Sequence, residues 1–189
     1  MAAREPAPGG GAVAAVTVAS AAGLIAMAAR FSGAMAGAEE VTRRADALRG
    51  ELAGLADEDA RVYTAVLEAH RRPRDERRPA AIRQALEDAS DVPMAVVERA
   101  RELGELGLRV LREGNRNLRG DAVTGVLLAE GAARSAAHLG QLNVRLGDLD
   151  GGRIDQVTAW CDELGRLASA ASEEIRAASE EIRAAGDPV

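Results

Sequence analysis

Apolar positions recur at helical spacing along almost the whole chain, and none alternate with period two for long enough to make a strand. From Glu39 to Arg72, Val41, Ala45, Leu48, Leu52, Leu55, Tyr63, Val66 and Leu67 mark a helix that Pro73 ends. The charged stretch after it, RDERRP, reads as a solvated link. Ala80 to Ser90 predicts a shorter helix with Ile82, Ala85, Leu86 and Ala89 on one side. Pro93 stands where helices favour starting, so a new helix is expected from Met94 to Arg112, carrying Val97, Leu103, Leu106, Val110 and Leu111. Gly114 to Asn117 (GNRN) is a stop-and-restart signal. Asp121 to about Leu149 then forms a long Ala/Leu/Val helix, closed by DGG at Asp150 to Gly152. In the last segment, Arg153 to Ala185, the residues Cys161, Leu164, Ala168, Ala171, Ile175, Ala178, Ile182 and Ala185 make a heptad seam, with AASEEIR repeated back to back. Such a seam fits either a last helix laid on the bundle or an interface between subunits.

One segment departs from this amphipathic pattern. Pro6 to Phe31 (PAPGGGAVAAVTVASAAGLIAMAARF) carries no charge before Arg30. A helix that is apolar all round is normally buried, and these side chains are small enough for neighbours to approach on every side. The expected fold is therefore all-α, a bundle of long helices around this buried Ala/Gly-rich helix, in one domain over residues 1–189. Gly9, Gly10 and Gly11 form an elbow where other atoms can come close to the backbone. As a membrane span the run is at the lower limit of length and only weakly hydrophobic. As a secretory signal it is interrupted by its Pro/Gly turn. It is not a phosphate-binding loop either, since GxxxxGK[ST] is absent and the chain has no lysine.

Composition narrows the partners. The chain is 47% hydrophobic but only 2% aromatic, so Ala, Leu and Val must build the core. A net charge of −6 argues against a nucleic-acid partner, because neutralising phosphates needs a basic surface. The single Cys161 has no internal disulfide partner and reads as a small hydrophobe on a helix in a reducing compartment. With only His70 and His138 besides, no metal-ligand cluster is expected. A soluble, cytosolic protein with no membrane contact follows as the expectation. Among possible reactive groups, the acidic run Asp57, Glu58, Asp59 reads either as a solvated helix face or, at Asp59, as a carboxylate placed just before the apolar turn of Val62 and Tyr63.

The motifs PAPGGG before an Ala-rich helix, LADEDARVYTAVLEAHRRP, ALEDASDVP, GNRNLRGDAVTGVLLAEGA and LNVRL occur in that order. Together they resemble the cyclodeaminase/cyclohydrolase family, which includes the C-terminal domain of formiminotransferase-cyclodeaminase and stand-alone bacterial proteins. The resemblance spans about Pro6 to Leu149. It implies long helices assembled at least as a homodimer, a tetrahydrofolate substrate, and no metal or organic cofactor. Family members close 5-formiminotetrahydrofolate to the 5,10-methenyl form with loss of ammonia, which is the activity expected here. The alternative is cyclohydrolysis of the methenyl bridge to 10-formyltetrahydrofolate. An expectation of another class is a non-catalytic helical interaction module that works through the C-terminal heptads.

Residue by residue, the resemblance implies that Asp59 is the general base, a role that suits a carboxylate facing a cationic one-carbon unit. It implies substrate contact for Asn115, Asn117 and Asp121, although capping would also explain an Asn or Asp at a helix restart. Asn143 and Arg145 in LNVRL form a third group, Arg145 being suited to the carboxylates of a folate tail. Gly9, Gly10 and Gly11 would let the folate reach the backbone. His70 and His138 fall on no family motif. Gly147 stands where the family usually has Asn, and only MAARE precedes the Pro-Gly turn where the family usually has another helix. The first departure predicts a changed one-carbon donor or an impaired enzyme.

Overall fold

Small residues decide how the helices meet. The computed structural model describes residues 7–185, with five α-helices: α1 (Gly10–Arg30), α2 (Ala38–Arg71), α3 (Arg78–Glu113), α4 (Arg119–Leu146) and α5 (Gly152–Ala185). A short 3-10 turn, Arg116–Leu118, leads into α4, and no strand occurs among the described residues. α1 lies between α2 and α4, which both run antiparallel to it: Asp59 meets Ala12 while Asp46 meets Arg30, and Leu139 meets Gly10 while Gly125 meets Ile25. α3 closes the ring behind, and α5 rests on α3 and α4. Ile25 is fully buried and projects where two side chains are missing. A Cβ on Gly107 of α3 would come within 2.8 Å of Ile25 Cδ1, and one on Gly125 of α4 within 2.7 Å of Ile25 Cγ1. The close approach of three helices thus rests on one isoleucine filling two glycine gaps.

The all-α expectation holds, and α1 is its centre: Ala15, Val18, Ala21, Ala22, Ile25, Ala28 and Ala29 are fully buried. By length and composition α1 is long and apolar enough to cross a membrane, but 56% of its most apolar window is already covered by the other helices. Ala there serves packing density, as in the core of a bundle.

Three expectations need correcting. Pro93 does not separate two helices; α3 runs straight through it from Arg78 to Glu113. The N–H that Pro93 lacks would have bonded the carbonyl of Ala89, and Asn143 Nδ2 of α4 donates to that oxygen instead, at 2.8 Å. Tyr63, placed on the apolar face by spacing, is 44% exposed. α4 stops at Leu146 rather than near Leu149, because Asp148 turns to φ 48 and Leu149 N–H folds back to Val144 O at 3.0 Å.

The heptad seam of α5 turns inward. Cys161, Leu164, Ala168 and Ala171 are buried in the chain's own core and Ile175 packs against it, while the side chains of Ile182 and Ala185 lie outside the described residues. Leu164 occupies the space over Gly104 of α3 that a Cβ would claim. Cys161 is a core residue whose thiol is pushed up by burial, so it behaves as the small hydrophobe expected of it.

Candidate active site

The three acidic residues on α2 separate cleanly by environment. Asp57 is exposed, Glu58 is bound by Arg61 through Nε at 2.8 Å, and Asp59 turns inward. Asp59 Oδ2 accepts the backbone N–H of Ala12 at 2.9 Å. That amide belongs to the first turn of α1, whose own turn offers it no acceptor. Gly9, the N-cap residue, provides no side-chain oxygen, so a carboxylate from another helix does the capping.

Gly11 makes this approach possible. A Cβ there would overlap the Asp59 carboxylate outright, whereas one on Gly10 would meet only Leu139 Cδ1 at 3.4 Å, and one on Gly9 would meet nothing within 4 Å. Within the GGG elbow the close contact is therefore specific to Gly11. The electrostatics pull in two directions. Half-burial raises the Asp59 carboxyl above the ordinary aspartate range, and the hydrogen bond from Ala12 opposes the rise. Among the described residues no arginine pairs with Asp59. An acid whose pKa is raised and that has no cation beside it holds a proton more readily than an ordinary aspartate, which suits it to proton transfer.

Asn143 and Arg145 lie at this same end of the bundle, on the last turns of α4. Arg145 is exposed in the final turn, where a cation is favoured by the helix dipole. Asn143 is half-buried and gives its amide to Ala89 O. Gly147, just beyond, is held by packing: a Cβ would come within 3.0 Å of Leu149 Cγ and 3.2 Å of Leu86 Cβ.

Asn115, Asn117 and Asp121 are elsewhere. They sit at the C-terminal end of α1, which is 21 residues long, so at 1.5 Å per residue roughly 30 Å separate them from Asp59. Here the polar groups satisfy one another. The buried Ser32 Oγ donates to Ala28 O at 2.7 Å and accepts from Asn115 N at 2.8 Å. Asn115 Nδ2 donates to Phe31 O at 3.3 Å, and its Oδ1 accepts Asn117 N at 3.0 Å. Asn115 is thus the N-cap of the 3-10 turn and the clasp that joins the end of α1 to the start of α4. Ser32, the buried hinge of that clasp, is a residue that sequence reasoning missed; its only signal is the SG pair that follows the end of the apolar run. Asn117 is exposed, and Asp121 is half-buried in the first turn of α4. A cleft of about 790 Å³ opens beside this end, between Arg30, Gly33, Met35, Thr42 and Asp46, and does not reach Asp59. Its wall includes Thr42 Oγ1, buried with no hydrogen-bond partner.

His70 is exposed near the end of α2 and His138 is exposed on α4. Among the described residues no three His, Cys, Asp or Glu side chains are gathered as metal ligands.

A methenyltetrahydrofolate cyclohydrolase of Methylorubrum extorquens is 34% identical over 149 residues, covering 72% of each chain. The crystal structure of formiminotetrahydrofolate cyclodeaminase from Thermotoga maritima superposes with a TM-score of 0.69 at 24% identity, covering 96% of this chain and 92% of that one, and so shares the fold. The formiminotransferase-cyclodeaminase family profile matches residues 1–160, a stretch that includes the elbow, Asp59 and LNVRL, and the chain belongs to that family.

Proposed function

We propose that this protein acts on the one-carbon unit of tetrahydrofolate, closing 5-formiminotetrahydrofolate to 5,10-methenyltetrahydrofolate with release of ammonia. The observation that carries the proposal is the Asp59 carboxylate, half-buried and seated on the α1 N-terminus beside Gly11. In ring closure, N10 attacks the carbon of the protonated formimino group (CH=NH₂⁺) and a C–N10 bond forms. Asp59 accepts the N10 proton and returns it to the departing nitrogen. The C–NH₂ bond breaks, ammonia leaves, and the methenyl cation remains next to the carboxylate. The fixed negative charge stabilises that cation.

The second reading, cyclohydrolysis, is favoured by the 34% identical relative, whose name carries that activity. There Asp59 takes a proton from water as the oxygen bonds to the methenyl carbon and passes it to N5 as the carbon–N5 bond opens, while the remaining hydroxyl proton is lost to solvent to leave the 10-formyl product. One assay separates the two. Methenyltetrahydrofolate absorbs in the near ultraviolet, so the signal grows during cyclodeamination and decays during hydrolysis. Absence of either change with both folates would sink the enzymatic reading. The interaction-module alternative keeps the part of α5 beyond Ala171 as its working surface, since the seam through Ala171 is buried inside the chain. It predicts that tetrahydrofolate leaves Tm unchanged, whereas a true ligand raises it with concentration.

The proposal extends to a cytosolic homodimer that needs no metal or organic cofactor. Val13 and Val16 on α1 and Leu128 and Leu142 on the adjacent α4 are apolar yet each more than 40% exposed. Pairing this face antiparallel with a second copy would bring the elbow of one subunit to the Asn117 and Asp121 end of the other. A complementation experiment tests it. Asp59→Asn and Asp121→Asn subunits, each defective alone, should recover about a quarter of parental activity on random mixing, because one site per mixed dimer is intact. No recovery would mean that the two ends do not share a site.

A further inference from the structure

Pro93 lies inside α3, and the break it makes in the backbone hydrogen bonding is supported from two other helices. Asn143 Nδ2 of α4 donates to the orphaned Ala89 carbonyl at 2.8 Å. Ser90, fully buried, gives its hydroxyl to Glu87 O at 2.7 Å and accepts from Arg153 Nη1 of α5 at 2.9 Å. Arg153 also pairs with Asp91 Oδ1 at 2.7 Å. On its other side the same turn of α3 carries load: Ala89 and Val92 pack with Val62 of α2, and Leu55 and Val66 close around them. Leu55, Asp59, Val62 and Val66 follow one another at helical intervals of four, three and four, so they form one stripe of α2. Asp59 stands in the very stripe that rests on the Pro93 break.

We infer that Asn143 is a positioning residue: by holding the Ala89 carbonyl it sets the course of α3 through Pro93, and through Val62 and Leu55 it sets where Asp59 meets the N-terminus of α1. This rests on the role proposed for Asp59, and it moves Asn143 from contact with substrate to support of the base. The two roles differ in one respect. A side chain that touches substrate matters whatever residue stands at position 93, but a splint matters only while Pro93 withholds its N–H.

A double-mutant cycle between Asn143→Ala and Pro93→Ala decides it. Pro93→Ala supplies the missing backbone donor, so the Ala89 carbonyl gains a helical partner and the Asn143 amide becomes redundant. Asn143→Ala alone is expected to lower kcat about tenfold to a hundredfold through displacement of the base, with KM within about twofold. The double variant should return to within about threefold of Pro93→Ala. In parallel, Asn143→Ala should lower Tm by roughly 2–4 °C in the parent and by no more than about 1 °C once Pro93 is replaced. A double variant as slow as Asn143→Ala, or a KM rise that Pro93→Ala does not cure, would make Asn143 a substrate contact and overturn the inference. Equal Tm losses in both backgrounds would overturn it too. Should Asn143→Ala fail to fold, recovery of folded protein on adding Pro93→Ala supports the inference and continued misfolding refutes it. A parent protein without turnover on either folate would remove the functional reading, and the Tm cycle would still decide whether Asn143 and Pro93 act together.

Discussion

The two ends of α1 present the same raw material, free backbone groups of one helix, and treat it in opposite ways. At the C-terminal end Ser32, Asn115 and the backbone of Asn117 and Phe31 complete one another in a closed set of hydrogen bonds. At the N-terminal end the free amide of Ala12 draws in a carboxylate from a different helix, one that has been partly stripped of water and given no arginine. The first arrangement is what stability alone would favour. The second keeps an acid in an environment that penalises its charged form, which a fold tolerates where chemistry needs it. A polar residue in a motif therefore tells little until its bonding capacity has been accounted for: Asn115 has used most of its own, and Asp59 has an oxygen to spare.

The most damaging way to test this contrast is Asp59→Asn. Turnover should fall by about 10²- to 10⁴-fold, the usual worth of a positioned acid/base group. Stability should move the other way. Because the folded-state pKa of Asp59 is raised, its stabilising protonated form is present at low pH and lost as pH rises through that value. Asp59→Asn should thus match the parent in Tm at acidic pH and equal or exceed it at neutral pH. A large Tm loss at neutral pH would reduce Asp59 to a structural cap.

Next in size is Gly11→Ala, which must push the carboxylate off Ala12; kcat should fall about tenfold or more. Asn115→Ala, at the other end, should cost Tm roughly 2–4 °C, as loss of a cap does, with kcat within about twofold of the parent. A kinetic loss larger than the thermal one would return Asn115 to the substrate. The smallest effect is expected from Gly10→Ala, whose added Cβ makes only an ordinary contact with Leu139. Activity should be retained, and Tm should not fall, given the better helix propensity of Ala. If Gly10→Ala disabled the enzyme as fully as Gly11→Ala, the elbow would be serving a ligand rather than Asp59.

Much of this molecule was legible before any coordinates. Helical spacing located α2, α4, α5 and both halves of α3, and an uncharged Ala-rich run announced the central helix, because burial on all sides leaves no place for charge. The motif order pointed to Asp59 and to the glycine elbow beside it. Pattern misled at Pro93, where a local rule about helix interiors was overruled by an amide from α4, and at Tyr63, whose spacing matched a core face but whose side chain is left 44% exposed.

From the sequence alone came the all-α architecture, the glycine-rich start of α1 and a short set of chemically able residues, since each depends on composition and on neighbours a few positions away. Which of those residues meet was left to the tertiary structure. Asp59 and Ala12, 47 positions apart, are joined by a bond, while Asn115, clasped to the other end of that central helix, lies a full helix length from them. Only the antiparallel stacking of α2 on α1, with Gly11 bare at the crossing, places a carboxylate on a helix end. Long-range packing of that kind leaves no local trace in the chain.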